Sequence, residues 1–223
     1  NLKIRNINYL LNNKYLIHVY CQNLEFKHKK VSYLPIGIDF HSRFSLNRRG
    51  DGKILPKKFE KIFIKILKSK SKKSNRIYCN FHFRLNKARK NCFEKIPKKL
   101  CKFQNIKVSQ ENTWKEIKKY NFIACPDGNG YDTHRFWEAV ILGSIPIVLK
   151  KHKLIDLYKN FPILAINRWE DINEKLLKTT NLKIKKTKYN YNLLLLKYWI
   201  NLISKNKSRK LKKISYSDFI KLI

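Results

Sequence analysis

The chain has 223 residues, 43% hydrophobic and 30% charged. That is enough apolar material for one large or two small packed domains, and it excludes global disorder. Its 51 Lys and Arg against 15 Asp and Glu give a formal net charge of +36, which invites a nucleic-acid reading, yet no RNA-recognition, zinc-finger or helix-turn-helix signature accompanies it.

Lysine supplies most of the positive charge and travels with Asn and Ile, residues that share AT-rich codons. Codon bias therefore explains much of the excess, and no specific nucleic acid is expected as a partner. Residues 1 to about 50 are short apolar runs broken by Asn, Lys and His. Arg48 to Gly52, RRGDG, is the best linker candidate. Pro56 then starts a helix at its first position, with Phe59, Ile62, Phe63, Ile66 and Leu67 on one face and an end near Lys70.

From Asn75 the pattern alternates. Strands are predicted at Arg76–Phe83, Ile106–Ser109, Phe122–Ala124, Ile145–Leu149 and Ile163–Ile166. Helices are predicted at Lys87–Leu100, Thr113–Tyr120, on the segment ending at Gly143, at Leu154–Phe161 and at Trp169–Leu177. Two more follow at Tyr191–Ile203 and Tyr216–Ile223. Such alternation with short connections predicts an α/β fold, a doubly wound parallel sheet with right-handed crossovers. Uniformly apolar strands agree with helices on both faces.

Five cysteines are scattered without CxxC or Cys/His ligand spacing. Neither a metal site nor a disulfide framework is supported, and a reducing, cytoplasm-like compartment is the expectation. No run approaches the ~20 apolar residues of a membrane span, which leaves other kinds of membrane association open. The absence of methionine and the start at Asn1 lead us to expect a fragment or processed piece of a longer chain.

The most informative segment is Cys125 to Leu149, CPDGNGYDTHRFWEAVILGSIPIVL. An apolar strand enters a Pro-Asp-Gly-Asn-Gly turn, the turn opens a helix, and a buried strand follows. This arrangement aims helix amides at a phosphate. His134 and Arg135 in the first helical turn oppose the helix dipole by roughly 0.3–1 kcal/mol each, and a bound anion reverses that sign. Gly128 and Gly130 provide positive φ or close backbone approach. Asp127 and Asn129 suit Asx-type turns, and Asp132 is placed to cap the helix. Arg135 offers a planar donor fork for a diphosphate, or a partner for Glu138 three residues on. Glu138, among Phe136, Trp137, Ala139, Val140, Ile141 and Leu142, is expected to be partly buried and to need hydrogen-bond partners. His134 either contacts phosphate or closes off the site. The loop after the Arg76–Phe83 strand carries His82, Arg84, Asn86 and Arg89. Arg84 or Arg89 is a second diphosphate ligand there, the alternative being a solvated basic loop.

The central block closely resembles the signature of exostosin-like glycosyltransferases, in which a Pro-x-Gly-Asn-Gly turn precedes Asp-x-His-Arg, an aromatic-Glu-Ala helix and Gly-x-x-Pro-Ile-Val. Upstream, Leu34 to Ser42, LPIGIDFHS, looks like the Pro-Ile-Gly-x-Asp-x-His segment of bacterial, algal and viral members. A weaker match runs from Ile77 to Arg89, so the resemblance covers roughly Ser32 to Ile172. It implies a GT-B fold in which 1–52 is the end of an acceptor-side domain plus linker and 53–223 a Rossmann-like domain holding a nucleotide sugar. It further implies sugar transfer to a hydroxyl of a glycan or glycoconjugate acceptor, inverting and without a metal or other cofactor. Gly128, Asn129, Gly130, His134, Arg135 and either Arg84 or Arg89 are the candidate diphosphate ligands, and by the same resemblance Glu138 accepts bonds from the ribose. Asp39 or His41 takes the acceptor proton, the usual residue types for that step, the alternative being a packed loop at the domain interface. A fucosyltransferase-like relative is the runner-up enzyme, and a basic nucleic-acid-binding domain is the alternative from another class.

Overall fold

A computed structural model describes residues 7–24, 26–40, 55–205 and 214–222. The linker candidate Arg48–Gly52 and the candidate base His41 lie outside them.

The centre is a five-stranded parallel sheet of β3 (Ser74–Cys79), β4 (Cys101–Phe103), β5 (Tyr120–Ala124), β6 (Ile145–Leu149) and β7 (Leu164–Ile166), in the order β4-β3-β5-β6-β7. Successive strand residues point to opposite faces, and here both faces are apolar. Tyr78, Ile123 and Val148 join one core cluster. Ile77, Cys79, Phe122, Ala124, Ile145 and Ile147 join another on the opposite side. The first is covered by α2 (Pro56–Lys68), α4 (Gln110–Ile117) and α5 (His134–Ile141), and the second by α3 (Lys87–Lys95) and α7 (Glu174–Lys186). This is a Rossmann-like α/β arrangement with helices on both faces. A short α6 (Ile155–Tyr158) and the C-terminal α8 (Leu196–Lys205) and α9 (Tyr216–Leu222) complete the domain.

Several predicted elements shift; the Tyr191–Ile203 helix, for one, divides into a 3-10 turn at Tyr191–Leu194 and α8. The strand beside β3 is Cys101–Phe103, not Ile106–Ser109, because α3 ends at Lys95 and Pro97 caps a 3-10 turn that delivers Cys101 into register with Ile77. Ser109 is instead the N-cap of α4, its hydroxyl accepting from the Asn112 amide at 3.1 Å. The predicted Trp169–Leu177 helix divides into a 3-10 turn at Trp169–Asp171 and α7, which begins at Glu174 under an Asn173 cap.

N-terminal to this domain lie α1 (Ile7–Asn12) and the parallel pair β1 (Val19–Cys21) and β2 (Val31–Tyr33), with a small core of Ile7, Leu11 and Val31. Beyond β2 the segment Leu34 to Phe40 leaves this unit and packs Ile36, Ile38 and Phe40 on the first cluster of the large domain.

At the amino ends of the strands two lysines satisfy carbonyls that the elements leave unpaired. Lys73 Nζ donates to Ser144 Oγ at 2.8 Å and to the carbonyls of Tyr120 and Leu142, and Lys118 Nζ donates to those of Leu67 and Ser69. Burial, reinforced by the Lys118 ammonium, pushes Lys73 down to about 7. A lysine with a depressed folded pKa contributes stability fully above its unfolded value of about 10.5 and loses it as pH falls through the folded one. Wild type should therefore gain thermal stability relative to Lys73→Met between about pH 6 and about pH 9. A difference between the two proteins that stays constant across that range contradicts the assignment.

Candidate functional site

The sheet order places β4 on one side of β3 and β5 on the other. Connections leaving the carboxyl ends of β3 and β5 therefore diverge, and the crevice between them is the topological switch point where open α/β sheets bind ligands. The loops that enter it carry the sequence-predicted residues.

The β3 loop and the glycine turn after β5 are cross-tied. Asn86 caps α3, accepting from the Arg89 amide at 2.9 Å, and its Nδ2 donates to the Gly128 carbonyl at 2.7 Å. Arg89 Nε donates to the Asp127 carbonyl at 3.2 Å. Arg135 reaches the other way, from α5 to β3, with Nε donating to Asn80 Oδ1 at 2.8 Å and Nη2 to the Asn80 carbonyl at 3.2 Å. Its guanidinium also lies 5.8 Å from the Phe81 ring centroid. Cys125 marks the middle of this group. Burial pushes its thiol up to about 12, with Arg135 and Arg89 opposing and Glu138 reinforcing the rise. Arg84 is exposed on the same loop.

The turn glycines serve close approach, not positive φ. A Cβ on Gly128 would sit 3.1 Å from Arg89 Nη2, and one on Gly130 would sit 2.5 Å from Asn23 Oδ1. Asn129, between them, is exposed. Asp127 does more than form a turn. Its Oδ1 lies 3.2 Å from Nε2 of the buried His152, which follows β6. The Leu154 amide donates to His152 Nδ1, so the proton sits on Nε2, which is 3.0 Å from the Tyr131 carbonyl.

Asp132 does not cap α5. The N-cap is Thr133, which makes no side-chain cap bond, whereas Asn86, Ser109 and Asn173 each cap their own helix. The Asp132 carboxylate is drawn elsewhere by stronger competition. It accepts from Tyr33 Oη, from the Ile36 amide at 2.7 Å, from Trp137 Nε1 at 2.7 Å and from Tyr158 Oη at 3.0 Å. Burial, and then the charge of Asp132, push both tyrosine pKa values up. One of those donors, the Ile36 amide, belongs to the upstream LPIGIDF segment, one, Tyr33, ends β2 just before it, and two belong to the large domain, so Asp132 joins the two sequence motifs.

His134 makes the second junction. A carbonyl can only accept, so its Nδ1 donates to the Gly37 carbonyl at 2.8 Å. Gly37 has φ +64°, which is open to glycine at no steric cost. Asp39, two residues later, is half-buried beside this junction. Its neighbour Phe40 packs edge-on against Phe59, Phe63 and Trp114.

Glu138 is 7% exposed, and its Oε1 accepts from Gln110 Nε2 at 2.6 Å and Trp114 Nε1 at 2.9 Å. Neither partner was visible as such in the sequence. Asn23, Asn80 and His152 were missed as well, since each acts through a contact distant along the chain. Asn86 alone left a signal, standing three residues before Arg89 at N-cap spacing. Among the described residues no group of three or more His, Cys, Asp and Glu side chains is placed to hold a metal ion, and no helix is long and apolar enough to cross a membrane. No protein-family model matches the chain, and no curated protein matches it.

Proposed function

We propose that the protein is a glycosyltransferase of the exostosin-like, GT-B type, moving a sugar from a nucleotide donor to a hydroxyl of a glycan or glycoconjugate. The observation that carries this reading is the pair of guanidinium groups, Arg89 and Arg135, tied to loops at the switch point beside a helix start that Thr133 does not cap. Like charges gathered at the positive end of a helix dipole oppose one another, and a diphosphate turns that repulsion into attraction.

In this reading the diphosphate lies against the Asp127–Arg135 turn, with Arg135 oriented by Asn80 and Arg84 reaching in from the exposed loop. Both bonds to Glu138 fall on Oε1. A carboxylate has about four lone-pair sites, so Oε2 is the oxygen that reads the ribose hydroxyls. The charge leaving with the diphosphate is stabilised by fixed donors that need no reorganisation. Asp39 or His41 takes the acceptor proton. The N-terminal unit belongs to the acceptor side, and a fucosyltransferase-like donor preference is the nearest variant.

The test is calorimetric titration of uridine and guanosine diphosphates into wild type and Arg135→Ala. Loss of a charge-assisted bond of about 1.5–3 kcal/mol weakens binding roughly 10- to 150-fold. Unchanged affinity in a folded variant removes Arg135 from the site. Tight, base-discriminating duplex binding at physiological salt, with no diphosphate binding, replaces this reading by the nucleic-acid one.

A further inference from the structure

Asn23 is the one described non-glycine residue with positive φ, at 50°. It lies just after β1, in the N-terminal unit, yet its side chain is spent on the turn after β5. Asn23 Oδ1 accepts from the Asp132 amide at 2.8 Å, and the whole side-chain amide rests on Gly130. A Cβ added there would lie 2.5 Å from Oδ1, 2.8 Å from Cγ and 2.8 Å from Nδ2, distances that real Cβ contacts do not reach. Asparagine is among the few side chains that adopt the left-handed region readily, so the residue type suits the backbone as well as the contact.

We infer that Asn23 is a positioning residue for the ligand-binding turn, and that Gly130 is a glycine because the Asn23 side chain occupies the place of its Cβ. The inference rests on the donor-site reading given above. Gly130 stands two residues from Gly128, whose own missing Cβ makes room for Arg89, and the Gly128 amide donates to the Gly130 carbonyl at 3.0 Å. A push on Gly130 is therefore carried to Gly128 and to the guanidinium lying on it. On the other side the same push moves the Asp132 amide and the start of α5, which carries His134 and Arg135. The N-terminal unit and the donor turn consequently form one mechanical element. Diphosphate bound at the turn should tighten the seating of Asn23, and loss of Asn23 should loosen the turn, as linkage requires.

The test is a double-mutant cycle of Gly130→Ala and Asn23→Gly in the full chain, read by uridine or guanosine diphosphate affinity and by thermal stability without nucleotide. Asn23→Gly removes the side chain while permitting φ near +50°. Gly130→Ala alone should weaken diphosphate binding, and adding Asn23→Gly should recover part of the loss. Contacting residues couple by roughly 0.5–3 kcal/mol, equivalent to about 2- to 150-fold in affinity. Failure of Asn23→Gly to recover any affinity, with wild type binding normally, overturns the positioning role. A rescue seen in thermal stability but not in affinity reduces Asn23 to a packing contact and overturns it too. Wild type that binds neither diphosphate overturns the donor-site reading and the positioning role together, while the stability cycle still reports whether the two residues clash.

Discussion

Asp132→Ala should lower the thermal midpoint sharply, an expectation of about 4 kcal/mol or more in stability. The carboxylate is 4% exposed and collects four donors, Tyr33 Oη, the Ile36 amide, Trp137 Nε1 and Tyr158 Oη. Alanine leaves all four without their acceptor, and each unsatisfied buried donor costs roughly 1–3 kcal/mol. A domain of this size has only about 5–15 kcal/mol to lose. Asp132→Asn should fall between wild type and alanine, since it retains one acceptor oxygen but turns an NH2 group toward donors. Urea denaturation of the three proteins measures the order. An alanine variant within about 1 kcal/mol of wild type would mean that water or repacking satisfies the donors, and the hub would lose its importance.

The large domain was legible because its strands and helices obey local rules. Ile145–Leu149 was read with its observed ends, since a short apolar run bounded by Gly143 and Lys150 has one interpretation. The edge strand Cys101–Phe103 was misplaced because it is three residues long and alternates only once. Nothing in so short a run distinguishes it from Ile106–Ser109 until Pro97 is seen to end the preceding helix. At the site, the glycine turn and the start of α5 were legible from the order of residues in one continuous block. The roles of Asp132 and Asn23 were not. Cap geometry is a local inference, and it predicted that Asp132 would serve α5. The donors that won are 99, 96, 5 and 26 residues away along the chain, and proximity of that kind is created only by folding. The same holds for Gly37. Its place in the LPIGIDF segment was visible, but its carbonyl's bond to His134, 97 residues on, was not.

That bond motivates the largest kinetic effect expected of any single substitution. The LPIGIDF segment is held at the start of α5 by His134 and Asp132, and Asp39 lies two residues beyond the Gly37 junction. Ile38 and Phe40, on either side, are packed against the core cluster of the large domain, so the backbone on both sides of Asp39 is fixed. A carboxylate carried on a backbone positioned in this way suits general-base work, in which geometry matters first. Asp39→Asn keeps the shape of the side chain and removes its basicity. Donor turnover, followed as release of nucleoside diphosphate from a nucleotide sugar, should fall by about 10²–10⁴-fold, the usual contribution of a positioned base. Diphosphate affinity should hold, because binding is assigned to Arg89, Arg135 and the glycine turn. A parallel fall in affinity would instead place Asp39 in the architecture of the crevice. Full turnover in Asp39→Asn, with loss in His41→Ala, would assign the base to His41. Full turnover in both would remove the upstream segment from the chemistry and leave it as the strap that joins the N-terminal unit to the donor turn.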